Sequence, residues 1–279
     1  MKPLHILMLT MFIDLAGFAM FIPLLNYIVA ELGGSILTVG LLITAFSLAQ
    51  FACLPAWGRL SDRIGRRPVI MLGLGGAAVA YAVFGLADPA LGLSDDRRLL
   101  LGVLFLSRIM LGVMSANYAA AYAYVADVTP PEERAQGMGM LGVAFGLGFV
   151  CGPALGGLLG QWGFWLPAFF GSGLALLNLF CAWRWLPESL PPGHVVRPRV
   201  SPGEALRETL AYLRQPRLGL LLVIFTLYLL AFSIIFGTFV EFSKERIGLP
   251  VRLSGVLFAY MGGVSIVTQG GLVGPAVRR

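Results

Sequence analysis

The segment Gly58-Arg59-Leu60-Ser61-Asp62-Arg63-Ile64-Gly65-Arg66-Arg67-Pro68 constrains this chain more than any other. It puts four arginines and one acid into eleven residues, between two apolar stretches of about twenty residues each. Twenty apolar residues in a helix cross a bilayer, and basic loops stay on its cytoplasmic side. Glycines at both ends of the segment suit a tight return, so two antiparallel spans joined by a short cytoplasmic turn at 58–68 are expected. Composition agrees: 58% of residues are hydrophobic and 12% charged, against roughly 25% charged in a soluble domain. That excludes an ordinary water-soluble fold and makes the lipid bilayer the first partner. The net charge of +6 lies in interspan loops and not along one face, so nucleic acid is not expected as a partner. Cys53, Cys151 and Cys181 sit inside apolar stretches without metal-type spacing and read as small buried hydrophobes, with no metal.

The hydropathy pattern predicts an all-α membrane bundle of eight spans, at 4–30, 37–57, 68–87, 99–126, 135–160, 164–186, 217–242 and 253–276. The first is too long for a signal-peptide core, contains an acid and is followed by no cleavage site, so it is expected to remain as a span. Of the twenty Lys and Arg residues, fourteen fall on one side of these spans and five on the other, with Arg108 inside a span. Both termini are therefore expected on the cytoplasmic side of the plasma (inner) membrane. Prolines at 187, 191, 192, 198 and 202 break the chain between 187 and 216, where Leu206, Leu210 and Leu213 mark a short amphipathic helix. The expected organisation is a six-span bundle over 1–186, a cytoplasmic linker over 187–216, and two spans of a second bundle over 217–279. Gly274 to Arg279 follows the eighth span as Gly58 to Arg63 follows the second. This weak repeat implies a two-halved ancestor whose second half is incomplete here.

Two charges fall inside spans. Asp14 lies in the middle of the first, about 15 Å along it, on a face shared with Phe18, Phe21 and Leu25. Arg108 lies about 14 Å into the fourth, on a face shared with Gly112, Ser115 and Ala119. Charges in hydrocarbon are costly and mark functional sites. Their matching depth on oppositely directed spans suggests one shared cavity in which each biases the other's protonation. For Asp14 the alternative is a hydrogen bond to a neighbouring helix. Gln50 either lines that cavity or bonds between helices. In the fifth span, Gly148, Gly152 and Gly156 recur at every fourth position beside Pro153 and Gly157. Such a face serves close helix packing or a bending contact at a gate. Asp62 either orders its loop or acts as a latch that pairs in one conformational state and releases in another. His5 and His194 lie near the terminus and in the linker, and no phosphate-binding glycine loop ends in Lys-Ser/Thr, so neither an enzyme nor a cofactor is expected.

These residues together resemble a known family. Gly58 through Pro68, with Asp62, Arg63, Gly65, Arg66 and Arg67, is similar to the loop motif between spans two and three of the major facilitator superfamily. Arg108 with Gly112 resembles the span-four proton-transfer motif of its drug:proton antiporters. Gly148-Phe149-Val150-Cys151-Gly152-Pro153-Ala154-Leu155-Gly156-Gly157 resembles their span-five motif. Asp14 with Phe21-Ile22-Pro23-Leu24-Leu25 and Leu186-Pro187-Glu188-Ser189 resemble the motifs of spans one and six. The resemblance is to the twelve-span branch that includes tetracycline and multidrug exporters. It implies two six-span halves rocking about a midplane site, with protons entering as a small amphiphilic compound leaves. The chain departs from the tetracycline exporters at Ala80, where they carry an acid, so tetracycline itself is not implied. The competing readings are a sugar or metabolite transporter of the same superfamily and a non-transporting fragment.

Overall fold

The structure is a computed structural model that describes residues 3–190, 207, 211, 215–247, 260, 263 and 264. Six helical segments in it are long and apolar enough to cross a membrane. Span 1 is α1 (Pro3–Met20) followed by α2 (Ile22–Glu31), span 2 is α3 (Ile36–Ile64), and span 3 is α4 (Arg66–Gly85). Span 4 is α5 (Arg97–Ser115) followed by α6 (Tyr118–Val128), span 5 is α7 (Arg134–Leu159), and span 6 is α8 (Trp165–Trp185). These match the expected six spans to within a few residues, except at the connection between spans 2 and 3. The chain divides into two compact units, with the six spans in one and α9 (Pro216–Ile247) in the other. Taken alone, α9 carries the apolar stretch Leu218–Ala231 and covers the expected seventh span. The expected eighth span and the amphipathic linker helix lie almost wholly outside the described residues.

The expected turn at 58–68 is a correction. Gly58 to Ile64 are helical, and the whole connection is Gly65, with φ 105° and ψ 155°. One interior glycine costs a helix only about 1 kcal/mol, and Arg59, Leu60 and Arg63 are compatible with helix. The Ser61 hydroxyl also donates back to the Gly58 carbonyl at 2.7 Å. At Gly65 the left-handed φ does require glycine, and a Cβ there would stand 2.4 Å from Glu188 Oε2.

Spans 1 and 4 are each interrupted. Pro23 has no N–H to offer the Ala19 carbonyl, and the helix restarts after Phe21. In span 4 the restart at Asn117 coincides with close packing on span 3. Gly73 leaves the room that Asn117 fills, and Gly76 the room that Met114 fills, each within 2.2 Å of where a Cβ would sit.

Helix α1 packs on α7 and α8, α4 packs on α8 and α5, and α3 packs on α5. The interior is two apolar clusters. One, around Met20, Phe21, Leu42, Tyr81, Phe84, Leu104 and Leu111, lies toward the end of the bundle that carries Asp88. The other, around Leu7, Met11, Trp57, Ile70, Leu74, Ala120 and Tyr124, lies toward the end that carries Gly65. Along their spans, Asp14, Ser115 and Asn178 fall where one cluster gives way to the other, and all three are buried.

Helices α4 and α8 cap one another. Glu188, beyond the C-terminus of α8, accepts from the backbone N–H groups of Arg66 at 2.9 Å and Arg67 at 3.2 Å, which open α4. Asp88, beyond the C-terminus of α4, accepts from the N–H of Trp165 at 2.7 Å, which opens α8, and from that of Ala90 at 2.8 Å. Each acid satisfies orphan donors where the helix dipole favours an anion. In each case a glycine with positive φ, Gly65 or Gly163, precedes the capped helix. Asp88 is buried and Glu188 is exposed. Asp88→Asn is therefore expected to destabilise the bundle by about 1–2 kcal/mol, and more than Glu188→Gln, in thermal unfolding in detergent.

Candidate functional site

Asp14 is 6% exposed. The Tyr118 side chain lies beside its carboxyl. Tyr118 is the first residue of α6, so the break in span 4 places it there. Among the described residues Asp14 is in no ion pair.

Arg108 is 3% exposed, and its guanidinium lies over two rings, 4.6 Å from the centre of Phe84 and 5.2 Å from that of Phe21. Phe21 is seven residues beyond Asp14, about 10 Å further along span 1. The expectation that the two charges meet at one height is therefore corrected. Helical side chains lean toward the N-terminus of their own helix. Span 1 enters from the Gly65 end and span 4 from the Asp88 end, so Asp14 and Arg108 lean apart. Tyr81 of span 3 stands between them, stacked on Phe21 at 5.1 Å and in electrostatic range of both. Its hydroxyl and the Arg108 Nε are buried without hydrogen-bond partners. Arg108 is also in no ion pair among the described residues.

The face that Asp14 shares with Phe18, Phe21 and Leu25 is packed. Phe18 lies against Phe46 at 4.8 Å and Phe149 at 6.4 Å, Phe21 meets Phe84 at 4.6 Å, and Leu25 is buried in the same cluster. Gly112 lets spans 2 and 4 touch, because a Cβ there would stand 2.3 Å from the Phe46 carbonyl oxygen. Gln50 donates to the Ser115 carbonyl at 3.4 Å. That carbonyl closes α5 and lacks a continuing helical partner, so Gln50 joins helices at the break.

The glycine face of span 5 is turned inward onto span 1. A Cβ at Gly148 would stand 2.7 Å from Leu15 Cβ. At Gly152 it would stand 2.7 Å from the Ala16 carbonyl oxygen, and at Gly156 2.2 Å from the Met20 carbonyl oxygen. These backbone approaches grip the two turns that follow Asp14. Pro153 is buried inside α7 without ending it. Gly157 is exposed, and a Cβ there would meet nothing, so it takes no part in the packing.

At the Gly65 end, Arg66 is the hub of a polar cluster. Its Nη1 pairs with Asp62 at 2.6 Å and donates to the Ser61 hydroxyl at 2.6 Å, and its Nε donates to Asp127 at 3.2 Å. Asp127 also accepts from the Ser189 hydroxyl at 3.0 Å. Arg67 donates to the Trp183 carbonyl, and the Tyr124 hydroxyl to the Pro187 carbonyl at 3.0 Å. Asp127 was not legible in the sequence as a partner, being one acid at a span end. The loop motif thus ties spans 2, 3, 4 and 6 together. Arg63 is exposed. The Arg66 side chain is 10% exposed, but its acids are 33% and 27% exposed and partly screened. Arg66→Ala is thus expected to cost only about 1 kcal/mol, while loosening the Ser189 segment enough to raise its proteolysis.

The chain is 30% identical over 277 residues to the tetracycline resistance protein, class C, of Escherichia coli, covering 97% of this chain and 66% of that protein. It is 29% identical over 283 residues to multidrug resistance protein 2 of Bacillus subtilis (strain 168), covering 98% of this chain and 66% of that one. The chain thus spans just under two thirds of these relatives' length. Among solved structures it is similar to the crystal structure of the human organic anion transporter MFSD10 (TETRAN). There the TM-score is 0.75 and the identity 27%, over 96% of this chain and 71% of that one. The family model described as Major Facilitator Superfamily matches residues 7–279. With six membrane-crossing helices and that match over nearly its whole length, the chain belongs to the major facilitator superfamily of transporters.

Proposed function

We propose that this chain serves proton-coupled export of small amphiphilic compounds by alternating access, in a plasma membrane with the Gly65 end of the bundle facing the cytoplasm. The observation that carries this reading is Asp14: a carboxyl buried in mid-span, beside Tyr118 and paired with no cation among the described residues. A carboxylate there is poorly solvated. Either a proton or a polar or cationic group of a substrate can compensate it, and the two compete for one place, which is the thermodynamic basis of exchange. The tetracycline and multidrug resistance relatives support the substrate class. The Asp62–Arg66–Asp127 cluster is the latch that holds one conformational state, and Gly148, Gly152 and Gly156 hold span 1 against span 5 as the bundle moves.

A second reading, an anionic substrate, is favoured by one observation: Arg108 has no acid at pairing distance among the described residues. The organic anion transporter among the similar structures supports it. One experiment separates the two. Proteoliposomes holding the full chain are given an imposed pH gradient and either ethidium or an anionic fluorescein dye. The export reading expects ethidium to accumulate in a gradient-dependent way that an uncoupler abolishes. Movement of fluorescein alone would favour the second reading, and movement equal to protein-free liposomes for both dyes would refute both.

A further inference from the structure

Spans 1 and 6 meet at a buried polar pair that the packing leaves half satisfied. Asn178 is fully buried and donates through Nδ2 to the Thr10 backbone carbonyl at 3.0 Å, while Thr10 is 3% exposed. The Thr10 hydroxyl and Asn178 Oδ1 are both buried without a hydrogen-bond partner among the described residues. Two orphan polar atoms on facing residues are the usual setting of an internal water, which satisfies two to four such groups and is costly to remove. A hydroxyl that can donate or accept, set beside an amide oxygen that only accepts, matches what one water can offer.

Thr10 is also four residues before Asp14. Residues so spaced are neighbours on a helix face, with Cβ atoms roughly 5–6 Å apart, and the Asp14 side chain leans toward the Thr10 turn. One water on the Thr10 hydroxyl can span that gap. The titratable groups that face Asp14 from the other elements are Tyr118 of span 4 and Tyr81 of span 3. Arg108 of span 4 faces Tyr81 from beyond. Span 5 presents glycines there and span 6 presents Asn178. All the titratable neighbours come from spans 3 and 4, whereas Thr10 and Asn178 form the polar step on the Gly65 side.

We propose that Thr10 and Asn178 hold an internal water that is the proton contact of Asp14 on the Gly65 side. The inference rests on the reading of Asp14 as the proton-exchanging group. In the step, the Asp14 O–H bond breaks and its proton adds to the water oxygen. The hydronium so formed passes a proton to solvent water at the Gly65 end, and the internal water is regenerated. Reversal loads Asp14.

The test is infrared spectroscopy of the full chain in nanodiscs, following the Asp14 carboxyl band after transfer from H2O to D2O. Asp14→Asn identifies the band by its loss. Thr10→Val keeps the side-chain shape and leaves the Asn178 bond to the Thr10 carbonyl in place. It is expected to slow hydrogen–deuterium exchange of Asp14 by about tenfold, the equivalent of one lost hydrogen bond, and Thr10→Ser to restore the rate. Asn178→Leu is expected to slow it similarly. Equal exchange rates in the wild type and Thr10→Val would overturn the inference and leave Asp14 its role. A wild-type spectrum with no Asp14 band at any pH would overturn that role, and the inference with it.

Discussion

Replacing Asp14 with Asn is expected to lower pH-gradient-driven dye movement in proteoliposomes about 100-fold, while the protein still folds. The size of the effect is that of losing a proton-transferring group from its site. Folding survives because Asn has nearly the same shape and its amide oxygen can still accept a hydrogen bond. What disappears is the exchangeable proton, and with it the competition that links the two movements. Tyr118→Phe is the informative companion. It removes the hydroxyl beside Asp14 without touching the carboxyl, so transport should persist with its pH profile displaced. A Tyr118→Phe profile identical to wild type would mean that the break in span 4 has no part in holding Asp14.

The largest expected effect on stability is at the contact between spans 1 and 5. Gly156→Ala puts a Cβ 2.2 Å from the Met20 carbonyl oxygen, a backbone atom that cannot swing aside as a side chain would. The two helices must separate along this contact, at a cost of about 3 kcal/mol or more. Gly152→Leu is expected to be worse, since its first carbon already stands 2.7 Å from the Ala16 carbonyl oxygen and the rest has no space. Gly157→Ala is the control: nothing lies within 4 Å of its Cβ position, and Ala is the better helix former. It should be neutral or slightly stabilising. Thermal unfolding in detergent that ranks Gly157→Ala with Gly156→Ala would show that the glycines act through helix flexibility and not through packing.

The positions of the six spans were legible because hydropathy and span length set them directly. The one misplaced boundary, at 58–64, has a simple cause. Charge marks where a helix leaves the membrane, not where it ends, and only Gly65 carries a backbone angle that helix cannot adopt. Asp14, Arg108 and the glycine face could be singled out because charges and repeated small residues stand out in apolar sequence. Their partners could not, since they depend on how spans meet. Tyr118, Tyr81 and Asp127 sit on other spans, and a tyrosine in an apolar helix looks like any packed aromatic. The height mismatch between Asp14 and Arg108 was hidden for another reason. Counting residues gives the depth of a Cα, and side chains on antiparallel spans lean in opposite directions. Gln50 shows how a local event decides a role: it became a helix-to-helix donor because span 4 breaks at Ser115 and frees a carbonyl.

The most direct measurement is proton release on ligand binding. The full chain in weakly buffered detergent solution is mixed with ethidium, and the pH change is read with an indicator dye. If substrate and proton compete at Asp14, saturating ethidium should expel protons in proportion to protein, in an amount that rises toward acid pH and vanishes in Asp14→Asn. Binding of ethidium with no proton released at any pH, or release undiminished in Asp14→Asn, would contradict the account.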